Sequence, residues 1–177
     1  MTLTIRVLIY LCVILSVVCG NEPSGKFVWQ HHEPEARNEY VYFRNAFELK
    51  QSAESGVIHM YADSRYQLFV NEVFINFGPA RAYPENPEYD THDIKNYLRP
   101  GKNVIAVKVL YNGIENFQVP DNRPGFIAWG EIRHNEKKID LSTPGNWLCR
   151  KSEGYDHNAV RFSFACAAME VFDARKE

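Results

Sequence analysis

The feature that most constrains this chain is its punctuation. From Asn21 onward, short segments rich in aromatic and β-branched residues alternate with clusters of Gly, Pro, Asn and Asp. No stretch carries the 3.6-residue periodicity of a long helix. Recurring short segments bounded by turn residues are the pattern of an all-β sandwich or barrel. Strands are predicted at Tyr40–Leu49, Gly56–Ala62, Tyr66–Val70, Val73–Phe77, Asn103–Leu110, Phe126–Ile132, Ile139–Leu141 and Trp147–Arg150. Asn71-Glu72 reads as a tight hairpin, because Asn tolerates the positive φ such turns need. Val104, Ala106, Val107 and Val109 make the Asn103 segment the expected central strand. Gly78 to Asp93 and Tyr111 to Pro124 read as long ordered loops. Asp93 is placed to accept from the free N–H groups of one helical turn, and Pro100-Gly101 to form a type II turn. Arg161 to Arg175 closes the unit with an apolar run.

The first twenty residues set the expected compartment. Arg6 is followed by an apolar stretch from Val7 to Val18, too short to span a bilayer, which needs roughly 20 residues. A positive start, a short apolar run and small residues at its end match a secretory signal peptide, whose helix would precede the sandwich. Residues 1–20 are then the leader and 21–177 one module, secreted, periplasmic or at the cell surface. Two readings of the leader's end stay open. Val18-Cys19-Gly20 suits ordinary cleavage, whereas Ser16-Val17-Val18-Cys19 is an imperfect lipobox that would lipidate Cys19 and provide the only membrane attachment. In an oxidising compartment Cys149 and Cys166 could bridge, closing a loop of about 18 residues for about 3 kcal/mol. Two free thiols remain the alternative.

The net charge of −2 falls by one when Arg6 is removed. So mild a balance excludes the strong basic footprint of a nucleic-acid binder. The six His residues include no pair at the three- or four-residue helical spacing of zinc sites, and no CxxC occurs, so no metal site is expected. G-x-S-x-G and Gly-rich phosphate loops are missing as well. The carboxylates a glycosidase would need as a pair are Asp90 with Asp93, Asp121, Glu131, and Glu170 with Asp173. Each has a structural explanation instead: loop acceptor for Asp90, cap for Asp93, solvent-facing strand position for Glu131. Trp129 and Trp147 read as core. Tyr83 and Tyr89, in the first long loop, suit either loop packing or the stacking of flat rings on sugar C–H faces.

Three runs in fixed order carry a resemblance: Ala62-Asp63-Ser64-Arg65-Tyr66-Gln67-Leu68-Phe69-Val70-Asn71, then Gly78-Pro79-Ala80-Arg81, then Tyr89-Asp90-Thr91-His92-Asp93-Ile94, followed by the strand around Asn103. Together they resemble the N-terminal sandwich domain of bacterial α-L-rhamnosidases, a galactose-binding-like jelly roll. Glu72 departs from the pattern, which has Gly after the Asn. The resemblance implies a non-catalytic accessory module, since the family's catalytic carboxylates sit in a separate helical barrel that would be its partner in longer relatives. It implies structural roles for Asp63, Arg65, Tyr66, Asn71, Gly78, Pro79 and Asp93. Arg81, Tyr83, Tyr89 and Asp90 are the candidate carbohydrate contacts, with an Arg81–Asp90 ion pair expected across the loop. No cofactor is implied, and a structural Ca²⁺ stays open. The alternatives are an α-L-rhamnosidase in its own right and a protein-interaction sandwich.

Overall fold

The computed structural model describes residues 23–30, 36–83, 85–117, 119–120 and 123–177. The leader with Cys19, and likewise His31, His32 and Asp121, lie outside the described residues. Nine strands follow in order: β1 (Glu39–Leu49), β2 (Ser55–Asp63), β3 (Arg65–Val70), β4 (Val73–Gly78), β5 (Asp90–Asp93), β6 (Gly101–Tyr111), β7 (Gly125–His134), β8 (Lys137–Asp140) and β9 (Trp147–Lys151). They form two antiparallel sheets, one ordered β4-β3-β6-β1-β9 and the other β5-β2-β7-β8. Only single 3₁₀ turns, Lys95–Tyr97 and Ala174–Lys176, interrupt the β structure among the described residues.

The two layers face each other through alternate residues. Along β6, Asn103, Ile105, Val107, Val109 and Tyr111 are buried while their neighbours are half-covered or exposed. β2 repeats the alternation with Ile58, Met60 and Ala62 inward. Between the layers Phe43 lies 4.6 Å from Phe126, ring to ring, and Trp147 meets Phe126 edge-on at 5.4 Å. Trp147 donates Nε1–H to the Leu141 carbonyl at 2.8 Å, so its polar edge is satisfied inside the core. β6 is central, as its apolar run predicts, although one of its faces is only partly covered.

Both two-residue hairpins use Asn-Glu. Asn71 and Glu72 take φ of 49° and 72°, and Asn135 and Glu136 take 48° and 59°. Positive φ at both central residues is what a type I′ turn requires, and it costs a residue with a Cβ about 1 kcal/mol. Asn71 is held there by its side chain: Nδ2 donates to the Tyr97 carbonyl and to Asn103 Oδ1, each at 2.8 Å, and Oδ1 accepts from Val104 N–H at 2.9 Å. Glu72 is exposed and forms no such bond in the turn. Glu72→Gly is therefore expected to stabilise the fold by about 0.5–1 kcal/mol, read as a raised urea midpoint at unchanged m. A lowered midpoint would show that Glu72 has a role the turn does not explain.

Three sequence expectations change. The stretch Gly78 to Asp93 contains β5, which pairs with β2 through Asp93↔Val57 and Asp90↔Met60. With only four residues and Asp at both ends, that strand shows no alternation to read. The Cys149–Cys166 bridge is not formed; both thiols are free and exposed. Cys149 lies on edge strand β9 opposite Phe43, whereas Cys166 closes a turn onto Ser163 in the C-terminal segment, so each belongs to a different element. That segment, finally, adds isolated bridges rather than a strand. Tyr155 anchors it by stacking on Tyr40 at 3.6 Å and accepting from Lys108 Nζ at 2.8 Å.

Candidate functional site

One end of the sandwich gathers the motif residues. There β2 crosses into β3 through Ser64, β4 ends at Gly78, and the long loop after β6 folds back over the opening. Between them lies a cleft of about 320 Å³ whose walls include Asp63, Arg65, Gly78, Pro79 and Arg81 together with Tyr61, Phe77, Phe117, Val119 and Pro120. Phe77 and Phe117 are 68% and 64% exposed, so two apolar rings stand open to a ligand. Asp63, the one carboxylate among the described residues of the cleft, is buried, and its Oδ1 accepts from Ser64 Oγ at 2.8 Å. Ser64 Oγ in turn accepts from Asn112 N–H at 3.0 Å, which ties the β2–β3 crossover to the start of the long loop.

Behind the wall, Gly78 is braced by a buried polar trio. Tyr66, 1% exposed, donates its Oη–H to Asp90 Oδ2 at 2.5 Å, and His92 Nε2 lies 2.8 Å from the same Oη. With the phenol proton committed to Asp90, the neutral imidazole that satisfies Oη carries its proton on Nε2. Burial, then the bond to Asp90 and its charge, raise the Tyr66 phenol far above its ordinary value, so it remains a donor. Residue 78 must be glycine, because a Cβ there would sit 2.1 Å from Asp90 Oδ2 and 2.7 Å from Tyr66 Oη.

Burial lowers the pKa of His92, outweighing the nearby Asp90 carboxylate, and burial also lowers that of His59. The unfolded chain, with His near pH 6.5, therefore takes up protons first as pH falls. The stability is complete above about pH 6.5 and declines as pH drops toward the lowered folded-state values. A urea midpoint that falls between pH 7 and 5.5, and falls less in His59→Gln/His92→Gln, is the expected outcome. A wild-type midpoint flat down to pH 5 would contradict it.

The four candidate contacts do not converge. Arg81 stands in the cleft wall, but the Arg81–Asp90 pair is not formed: Asp90 faces inward on β5 and is taken by Tyr66. Tyr83 is exposed beside its own loop, bridging to Asn86. Tyr89 packs on the outer face of the four-stranded sheet, edge-on to Trp129 at 4.8 Å and to His59 at 5.6 Å. Trp129, read from sequence as core, is covered to 6% exposure by Tyr89 and His59 on that outer face and takes no part in the core between the layers. Asp93 accepts from Lys95 N–H at 3.0 Å and supports the 3₁₀ turn, although Ile94 occupies the formal cap position. Phe77, read only as a strand residue, is the cleft contact that sequence reasoning missed. Its strand offered no signal, since β4 alternates neither in sequence nor in burial. Among the described residues no group of three or more His, Cys, Asp or Glu side chains comes together to hold a metal.

These features define a two-layer antiparallel β-sandwich with a cleft at one loop end. The Pleurotus ostreatus lectin, in its apo form, shares the fold with a TM-score of 0.57 at 18% identity, over 83% of this chain and 38% of that one. The chain is also similar, at 36% identity and a TM-score of 0.77, to the GH78 family rhamnosidase of Bacillus sp. GL1, over 89% of this chain and 16% of that chain. The α-L-rhamnosidase of Aspergillus terreus shares the fold with a TM-score of 0.64 at 20% identity, over 84% of this chain and 18% of that one. The protein thus resembles one β-sandwich domain of α-L-rhamnosidases and spans less than a fifth of the enzymes it matches. No protein-family model and no curated protein matches the chain.

Proposed function

We propose that the protein is a secreted, non-catalytic carbohydrate-binding module of the galactose-binding-like jelly-roll type, which serves an α-L-rhamnosidase-type glycoside hydrolase. The observation that carries this reading is the loop-end cleft. It joins two open aromatic rings to guanidinium groups, the combination that stacks on sugar C–H faces and engages hydroxyls. Glycoside hydrolysis needs two carboxyls about 5–10 Å apart, and among the described residues the cleft walls hold one, Asp63, turned into a bond with Ser64. A fold neighbour, the Pleurotus ostreatus lectin, has been solved in complex with GalNAc.

A second surface supports the accessory role. Val160, Phe162, Phe164, Met169, Val171 and Phe172 are 47–89% exposed within one short segment, and Phe117 meets Phe164 edge-on at 5.3 Å. An apolar patch of this extent is what a module presents to a larger body. That body is the catalytic part of a rhamnosidase-type enzyme, because in the matched enzymes more than four-fifths of the chain lies outside the matched region. Calorimetric titration with rhamnose-containing oligosaccharides tests the binding reading. Saturable binding that Phe77→Ala weakens is expected, with no turnover of an aryl α-L-rhamnoside. A wild-type protein that binds none of them is a scaffold, and the reading falls.

A further inference from the structure

The charges in the cleft narrow the class of saccharide, an inference that rests on the carbohydrate reading above. Among the described residues, three carboxylate or guanidinium side chains line the cleft: Arg65, Arg81 and Asp63. Asp63 is 4% exposed and engaged by Ser64, so an incoming ligand meets guanidinium and not carboxylate. Arg81 is exposed and forms no ion pair with a carboxylate among the described residues. The acid assigned to it from sequence, Asp90, is turned away and held by Tyr66. A guanidinium at the mouth of a concave site, with no acid to pair with it among the described residues, is a planar fork suited to a carboxylate. The chain as a whole carries a net charge of −2, so this positive wall is not a general property of the surface.

The aromatic contribution fits the same ligand. Phe77 lies on β4 and Phe117 on the loop after β6, both open and both lining the cleft that Arg81 edges. A hexuronic acid presents both requirements at once, a ring with an apolar C–H face and an equatorial carboxylate at its rim. Neutral sugars use the rings and leave the guanidinium solvated; a small inorganic anion uses the guanidinium and leaves the rings open. We infer that the cleft takes a uronic acid residue of a polysaccharide, its carboxylate on Arg81 and its ring against Phe77 and Phe117.

The test compares each acid with its own uncharged ester, which keeps shape and hydroxyls while removing the charge. Methyl β-D-glucuronide and methyl α-D-galacturonide are titrated beside their methyl esters and beside methyl α-L-rhamnoside, in 20 mM and 200 mM NaCl. At least one uronide is expected to bind about tenfold more tightly than its ester. That advantage shrinks at the higher salt and disappears in Arg81→Gln, whose melting temperature matches the wild type because Arg81 is exposed. Arg81→Lys keeps the charge and loses the fork, and it is expected to recover only part of the advantage. Esters or the rhamnoside binding as tightly as the acids, or acid binding unchanged in Arg81→Gln, would overturn the uronate inference and leave the carbohydrate reading standing. Failure of every saccharide, including rhamnose-containing oligosaccharides, would overturn both.

Discussion

Replacing Asn103 by alanine is expected to destabilise the protein by about 3 kcal/mol, more than any exposed substitution would. The side chain is 1% exposed and makes four hydrogen bonds. Its Oδ1 accepts from Asn71 Nδ2 at 2.8 Å and from Arg99 N–H at 3.0 Å, and its Nδ2 donates to the carbonyls of Arg99 at 2.6 Å and Gly101 at 3.0 Å. Alanine leaves all four partners without it at the point where the turn feeds β6. Water can reach the exposed Arg99 side of the turn, which keeps the cost to about 0.7–0.8 kcal/mol per lost bond instead of the larger value for a sealed site. Asn103→Asp retains the acceptor and loses the donor pair, so an intermediate loss is expected. Urea titrations decide the matter, and a loss below about 1 kcal/mol for Asn103→Ala would contradict the network's role.

Gly78→Ala is expected to cost about 2–3 kcal/mol and to weaken ligand binding in the same step. The new methyl would overlap Asp90 Oδ2 and Tyr66 Oη, and both side chains are fixed by bonding to each other. Either the trio separates, leaving a half-buried carboxylate without its donor, or β4 shifts outward and drags Phe77 and Pro79 with it. Asp90→Ala alone loses the Tyr66 bond, so it destabilises too. If the overlap is the cause, adding Gly78→Ala to Asp90→Ala costs less than adding it to the wild type, because the nearer obstacle is gone. Strict additivity would place the cost of Gly78→Ala elsewhere.

The fold was legible wherever side chains alternate between a core and a solvent face. β1, β2, β3 and β6 each bury every second residue over several positions, and each of them, like the continuously buried start of β7, was found within two or three residues of its ends. β5 was not, because a four-residue strand with Asp at both ends earns its pairing from the neighbour, β2, and not from its own pattern. The candidate site was legible in part. Asp63, Arg65, Gly78, Pro79 and Arg81 do surround one cleft, since the first motif run begins, and the second lies, at the same end of the sandwich. Tyr83, Tyr89 and Asp90 come from the same stretch of sequence yet point three ways, because a strand sends neighbours to opposite faces and a loop sends them anywhere. Sequence could name the residue types suited to sugar but not which of them share a wall.

The lone thiols and the open phenylalanines show a second limit. Cys149 and Cys166 are 17 positions apart, close enough to suggest a bridge, yet edge strand β9 and the C-terminal segment present them separately. Arg161 to Arg175 reads as an apolar run that closes the unit, and its apolar side chains Phe162, Phe164, Met169, Val171 and Phe172 stand exposed. Hydrophobicity alone does not say whether a surface is covered by its own chain or by another one.

The most direct test of the proposed role is an ¹H–¹⁵N correlation titration of the intact chain with a rhamnose- and uronate-containing oligosaccharide. Saturable shifts concentrated at Tyr61–Arg65, Phe77–Ala82 and Phe117–Val119 are the predicted result. Shifts centred on His59, Tyr89 and Trp129, or a spectrum that does not change at millimolar ligand, would contradict it.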